Sequence, residues 1–199
     1  MGFDRINPSA VWKGHLSTLH AHEQTKIRPK DIATFYVLPV VIAVALWVAQ
    51  PTLSTDFVTA SLTGLAILFG FLLNLQMLVV GTLDDLVSKI PVGKPATVEQ
   101  KLRITLLKET HLNNSYAVMV AFTLIVVLLM QYVHVEYHWP IDVRVLAWIG
   151  ALSVYTLITH FLLTMLLVVN RVHKALSKQH EMIVADLDER DKKHLESLR

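Results

Sequence analysis

The polar side chains best suited to chemistry in this 199-residue chain lie inside its longest apolar segment. Residues 145–170 contain no Lys, Arg, Asp or Glu, yet they include His160. On the 3.6-residue period of a helix, His160 shares a face with four small or hydroxyl-bearing residues, Gly150, Ser153, Thr156 and Thr164. Imidazole donates and accepts hydrogen bonds and exchanges protons near neutral pH. This face could therefore join helices or carry protons.

Two amides interrupt a second apolar segment, residues 57–81. Asn74 and Gln76 are costly in lipid unless they are hydrogen-bonded to another helix. Asn74 and Thr164 lie at similar distances from the ends of their segments, so we expect them at one depth. Two interpretations stay open. His160, Thr164, Asn74 and Gln76 bond to one another between helices, or the polar face lines a pore formed by several copies.

Recognisable catalytic and cofactor motifs are missing from the chain. It has no cysteine, which excludes disulfides and thiolate metal sites. It has no Gly-rich phosphate loop and no HExxH, and Asp84-Asp85 has no further acid at the spacing of a metal–diphosphate motif. His15, His20 and His22 do not have the i, i+4 spacing of helical ligands, so we predict solvated histidines. We expect no enzyme activity, no cofactor and no metal.

The clustering of apolar residues predicts an all-α integral membrane protein. Hydrophobic residues make up 53% of the chain, and about 20 apolar residues in a helix cross a bilayer. We predict a transmembrane domain over 34–170 with four spans, at 34–50, 57–81, 115–133 and 145–170. It is preceded by a cytoplasmic amphipathic segment, 1–33, and contains a cytoplasmic loop, 82–114. A cytoplasmic helix, 171–199, follows.

Helix signals extend the last two spans beyond the membrane. No Gly or Pro occurs from Thr97 to Trp139 or from Ala151 to Arg199, and Thr97 to Gln100 has a capping-box pattern. We expect one helix of about 40 residues through span three and a helical stalk after span four, the alternative being a solvated tail. Close packing of span two is predicted from small residues at i, i+4, namely Ala60, Gly64, Ala66 and Gly70.

The basic residues predict the orientation and the partner surface. Seventeen of the 18 lysines and arginines fall on one side of the predicted spans, which makes that side and both termini cytoplasmic. Apolar residues recur there at helical spacing and could bind a cytoplasmic protein; they are Leu102 and Leu106, then Leu176, Ile183 and Leu187 beside Arg190. The basic residues of 89–108 alternate with acids and lack aromatic neighbours, so we expect no direct binding of nucleic acid.

Three segments carry a resemblance to a known group of proteins. They are TFYVLPVVIAVALWV, GFLLNLQMLVVGTLDDL and THFLLTMLLVVNRVHKAL. The chain resembles small four-span bacterial inner-membrane proteins encoded with defence systems, of which the membrane subunit of the Kiwa antiphage system is the nearest. The resemblance implies a non-enzymatic homo-oligomer that senses phage perturbation of the envelope and holds a soluble DNA-binding partner. The alternative function is a small channel or depolarising effector lined by span four.

Overall fold

A computed structural model describes residues 8–18, 29–90, 95, 97–137 and 144–197. Within these ranges the side chain of Ile183 is not described, and His20 and His22 lie outside them. The described residues form helices and no strand. The helices are α1 Pro8–Thr18, α2 Pro29–Ile32, a π-turn Ala33–Val37, α3 Leu38–Ala49, α4 Thr55–Ser88, α5 Val98–Tyr137 and α6 Arg144–Ser197.

Three helices are long and apolar enough to cross a membrane. The apolar parts are Thr55–Ser88, Val98–Val133 and Ala147–Ser177. A further apolar helix, Ala33–Ala49, is shorter. At 1.5 Å per residue it is about 25 Å long, against about 30 Å for the hydrocarbon layer. The chain therefore has the architecture of a helical membrane protein.

Side-chain caps mark where two of the long helices begin. Ser54 accepts a hydrogen bond from the backbone N–H of Phe57 at 3.2 Å and starts α4. Thr97 Oγ1 accepts from the N–H of Gln100, and Gln100 Oε1 accepts from the N–H of Thr97. This exchange confirms the predicted capping box and satisfies two backbone donors at the start of α5.

The long helices pack in a row with α5 and α6 at its centre. α5 packs against α4 on one side and α6 on the other, and α3 packs against α6. α1 packs against α5. In the described part of the chain, α3 does not pack against α4, although the two are consecutive. Among the described residues, the fully buried leucine and valine side chains belong to α4, α5 and α6: Val58, Leu72, Leu124, Leu128, Val154 and Val168.

Two glycines allow close approach of helices to α5. A Cβ on Gly150 would lie 1.6 Å from Gln131 Nε2, and one on Gly14 would lie 2.9 Å from Leu112 Cδ2. Gly150 therefore admits the amide of Gln131 between α5 and α6. Gly14 brings the backbone of α1 close to α5.

The small residues predicted for close packing of span two lie on its outer surface. A Cβ added to Gly64 or Gly70 would meet no atom within 4 Å. Ala60 and Ala66 are exposed as well. None of the four packs against another helix of the described chain, so any close packing they support is with another molecule.

Candidate functional site

A connected set of polar groups lies where α1, the π-turn, α5 and α6 meet. Aromatic, amide and charged side chains make it, together with two backbone carbonyls. We call it the polar network, and its side chains are His15, Thr18, Glu109, Asn113, Tyr116, His160 and Arg171. Five of these seven side chains are buried: His15, Thr18, Asn113, Tyr116 and His160.

His160 uses both ring nitrogens. Its Nδ1 lies 2.8 Å from Phe35 O, and its Nε2 lies 2.8 Å from Tyr116 Oη. A carbonyl oxygen can only accept, so Nδ1 carries the proton and donates. Nε2 then accepts from the hydroxyl of Tyr116. One neutral imidazole thus joins the π-turn, α5 and α6.

His15 extends the network onto α1. It is fully buried, and its ring stacks on Tyr116 with centroids 4.0 Å apart and planes inclined by 5°. Its Nδ1 donates to Asn113 Oδ1 at 2.8 Å. The prediction of a solvated His15 is therefore wrong. The spacing of the histidines indicates only whether they could share a metal ion. It carries no information about which face of α1 packs against α5.

Burial makes His15 a weak base. Loss of hydration disfavours the imidazolium and lowers the pKa of His15 to about 4, from an ordinary value of 6.5. The hydrogen bond with Asn113 opposes this shift, and the neighbouring His160 adds to it. His15 is therefore neutral at pH 7 while α1 is docked.

Arg171 closes the network at its charged end. Its guanidinium forms an ion pair with Glu109, and Nη2 donates to Thr18 O at 2.7 Å. Thr18 O belongs to the last turn of α1, where carbonyls lack partners within the helix. Thr18 Oγ1 also lies 2.7 Å from Asn113 Oδ1. The end of α1 is thus tied to α5 and α6 together.

A second cluster ties α4 to α5. Gln76 Nε2 donates to Ser115 Oγ at 3.0 Å and to His111 Nδ1 at 2.7 Å. Asn114 Nδ2 donates to Gln76 Oε1 at 2.7 Å and to Leu72 O at 2.9 Å. Asn113 and Asn114 are neighbours, so they project from different faces of α5 and serve different helices.

The predicted contacts among His160, Asn74 and Gln76 are wrong. Gln76 bonds to α5, and His160 bonds to Tyr116 and Phe35. Asn74 is exposed on α4. Residues two apart on a helix point about 200° apart, so only one of the two amides can face α5. Thr164 lies against His160 O on its own helix at 2.8 Å.

The remaining members of the predicted face lie along α6. Thr156 Oγ1 donates to Leu152 O on the same helix at 2.8 Å. Ser153 is half-buried. Gly150 lies at the contact with Gln131 described above. The structure thus places this face within the α5–α6 contact region at Gly150 and His160.

The sequence did not predict six members of the polar network: Thr18, Glu109, Asn113, Tyr116, Arg171 and the carbonyl of Phe35. One signal was present. Residues 113–116, Asn-Asn-Ser-Tyr, are four consecutive residues whose side chains can form hydrogen bonds, and they lie at the start of predicted span three. Which helix each would face depends on helix packing, and that is not encoded in hydropathy.

The predicted partner-binding residues occupy two helices. Leu102 and Leu106 are half-buried on α5. Leu176 is 60% exposed and Leu187 53% exposed on α6. Arg190 is exposed as well, and the side chain of Ile183 lies outside the described residues.

The polar network holds helices together, and among the described residues no three His, Cys, Asp or Glu side chains form a group that could hold a metal. Comparison with protein-family models, with curated proteins and with solved structures finds no match. The fold defines the chain as an all-helical protein with three membrane-length apolar helices.

Proposed function

We propose that the chain is a non-enzymatic, homo-oligomeric scaffold of the bacterial inner membrane that recruits a cytoplasmic effector protein. One observation carries this proposal: α6 runs unbroken for 54 residues, from the packed bundle to an exposed end. Twenty-six residues separate Arg171 from Ser197, which is about 40 Å of helix. A helix fixed at one end and exposed at the other suits a sensor that reports to a partner.

The fixed end of α6 supports a mechanical connection. Gln131 against Gly150, Tyr116 against His160 and Glu109 against Arg171 join α6 to α5 along its length. A displacement of α5 or α1 in the membrane would therefore move the exposed end. Leu176, Leu187 and Arg190 on that end offer apolar contacts and a charge to a partner.

The membrane arrangement that we propose has four spans with both termini in the cytoplasm. Ala33–Ala49 is the short first span, and bilayer thinning or flanking polar residues accommodate its length. The asymmetry of lysine and arginine supports the orientation. The bilayer is thus one partner of the chain.

The outer face of α4 supports a second copy of the chain as another partner. Asn74 is exposed on this face at mid-helix, where lipid cannot satisfy its amide. Gly70 lies one turn before Asn74, and Gly64 lies closer to the start of α4. A Cβ added to either glycine would meet no atom within 4 Å, so another helix could approach closely there. Two such faces would pack closely and allow the two Asn74 amides to bond to each other.

The antiphage part of the proposal rests on the resemblance of residues 34–48, 70–86 and 159–176 to membrane subunits of bacterial defence systems. In this role the effector is a soluble, nucleic-acid-binding protein, and phage damage to the envelope is the trigger. The other expected function, an ion path lined by span four, has less support. The hydroxyls of Thr156 and Thr164 bond to their own helix and both nitrogens of His160 are engaged.

Partner recruitment is tested by affinity purification of the full chain from its host in mild detergent. We expect one cytoplasmic protein to co-purify with the wild type, to be lost with Leu187→Glu, and to be retained with Leu195→Glu. Leu195 is also exposed on α6 but lies about 80° around the helix from Leu187. Retention with Leu187→Glu and after truncation at Ser177 would contradict recruitment by the stalk.

Oligomerisation is tested by native mass spectrometry of the purified chain. We expect Gly70→Ile to shift the oligomer towards the monomer, because a branched side chain separates the two α4 faces. Phe122→Ile is the control, since Phe122 is exposed on α5. A monomeric wild type, or equal effects of the two variants, would contradict an interface on α4.

A further inference from the structure

A cavity opens between α4, α5 and α6 near the end from which the stalk projects. Its volume is about 290 Å³, and it is lined by Leu78 and Thr82 of α4, Arg103 and Leu107 of α5, and Val172 and Leu176 of α6, among others. We call it the Arg103 cavity. It does not include the polar network, and it shares only Leu176 with the residues proposed to contact a partner.

The walls of the Arg103 cavity are apolar. Leu107 is buried, whereas Leu78 is 66% exposed and Leu176 60% exposed on either side of the opening. The two threonines of the lining contribute no free donor, because Thr82 Oγ1 donates to Leu78 O and Thr110 Oγ1 donates to Leu106 O. A ligand would therefore meet hydrocarbon over most of its surface.

Arg103 is the charged residue of the lining. It is half-buried, and no described acidic group forms an ion pair with it. Asp85 of the neighbouring α4 is already paired with Lys89 at 2.7 Å. Lys101 of α5 and Lys174 of α6 are exposed on the same helices. The cavity thus offers one guanidinium to an anion.

The cavity continues from this charge into the apolar bundle. On α4 its lining extends from Thr82 to Leu75, which is about 10 Å along the helix. An occupant must therefore combine an anionic head at Arg103 with a hydrocarbon chain directed towards Leu75. A guanidinium donates two parallel hydrogen bonds to phosphate oxygens, a geometry that an ammonium group lacks.

We propose that the Arg103 cavity binds an anionic phospholipid of the adjacent leaflet, with its phosphate on Arg103 and one acyl chain between Leu78 and Leu176. Basic pockets between membrane helices on the cytoplasmic side have this ligand chemistry. Because Leu176 is where α6 leaves the bundle, the bound lipid stabilises the base of the stalk against α4 and α5. The inference concerns lipid only and does not depend on the proposed partner.

The test uses the full chain in nanodiscs of phosphatidylcholine, with and without phosphatidylglycerol, and measures the unfolding temperature. We expect phosphatidylglycerol to raise that temperature for the wild type. Arg103→Leu should lose this rise, whereas Lys101→Leu, with the same change of charge on the same helix, should keep it. Equal rises for the two variants would show a general surface-charge effect and overturn the proposal.

A second variant separates the acyl chain from the head group. Ala175 lines the cavity, and Ala175→Phe should fill it and abolish retention of phosphatidylglycerol in native mass spectra while Arg103 stays in place. Retention equal to that of the wild type would overturn the acyl-chain position. Inorganic phosphate added to the chain in detergent should not raise the unfolding temperature, and an equal rise would identify a small-anion site instead.

Discussion

His160 donates a hydrogen bond to the one backbone carbonyl that Pro39 deprives of its helical partner. In an α-helix Phe35 O would accept from the N–H of residue 39, and proline has none. His160 Nδ1 lies 2.8 Å from this oxygen. Pro39 itself is fully buried, and the helix widens into the π-turn Ala33–Val37 just before it. The carbonyl that lacks a helical partner because of Pro39 is thus hydrogen-bonded by a side chain of α6.

This relationship predicts that Pro39 and His160 are energetically coupled. His160→Leu removes two hydrogen bonds, and at roughly 0.6 kcal/mol each it should lower the free energy of unfolding by about 1 kcal/mol. Pro39→Ala restores an N–H for Phe35 O, so His160→Leu should cost less in that background. Unfolding of the four proteins by SDS measures the cycle. Thr159→Val should add independently, because Thr159 bonds to its own helix. Full additivity for His160 would refute the coupling.

Acid should release α1 from the bundle. The pKa of His15 is about 4 when α1 is docked, and about 6.5 when it is free. Between these values only the free form binds the proton, so the contribution of His15 to docking is fully present above pH 6.5 and is lost as pH falls towards 4. At pH 5 the loss is roughly 2 kcal/mol. Two titratable groups of the described residues face His15, namely Tyr116, on which its ring stacks, and His160.

Cysteine labelling reports this release, because the chain contains no native cysteine. Val11 packs against the core, and its neighbour Ala10 is exposed. The labelling rate of Val11→Cys relative to Ala10→Cys should rise from pH 7.5 to pH 5. His15→Phe retains an aromatic ring on Tyr116 and cannot titrate, so its ratio should stay constant. A ratio that rises equally in His15→Phe would assign the effect to another group.

Gly150 and Gln131 should compensate for each other. Gly150→Ala places a methyl group where the amide of Gln131 lies, and Gln131 is buried. We expect a lower unfolding temperature for Gly150→Ala and recovery when Gln131→Ala is added. Val169→Leu, which adds one methylene group at an exposed position of α6, should not lower it. Failure of Gln131→Ala to rescue would place the strain elsewhere.

The ion pair of Arg171 should be required for docking of α1. Arg171→Gln leaves Glu109 without its guanidinium in a largely buried position, which is costly, and weakens the contact with Thr18 O. We expect faster labelling of Val11→Cys at neutral pH. Arg190→Gln, an exposed arginine on the same helix, should label at the wild-type rate. Unchanged labelling of Arg171→Gln would mean that the stacked His15 suffices to hold α1.

Local patterns in the sequence were sufficient for the helices and their starts. The absence of Gly and Pro after Thr97 predicts one helix, and the structure has one from Val98 to Tyr137. Thr97 and Gln100 form the expected box because a capping box involves only near neighbours. In contrast, α4 runs to Ser88, beyond the predicted end of its span at 81. Hydropathy marks the part inside lipid, and hydrogen bonding continues past it.

Contacts between helices could not be predicted in the same way. Lipid is as apolar as leucine, so an apolar face says little about whether it meets lipid or protein. Asn74 and Gln76 illustrate this, since one is exposed on α4 and the other bonds to three residues of α5. The burial of His15 likewise depends on Gly14 against Leu112, two residues that are far apart in sequence.

The order of the row has a consequence for biogenesis. α3 is synthesised early, yet it packs on α6 and, within the described residues, does not pack on α4. Phe35 O and His160 are 125 residues apart in the chain. During synthesis the carbonyl therefore stays without His160 until α6 has been made. The contact between α3 and α6 therefore forms late in biogenesis, whereas α4 and α5 can pack on each other before it.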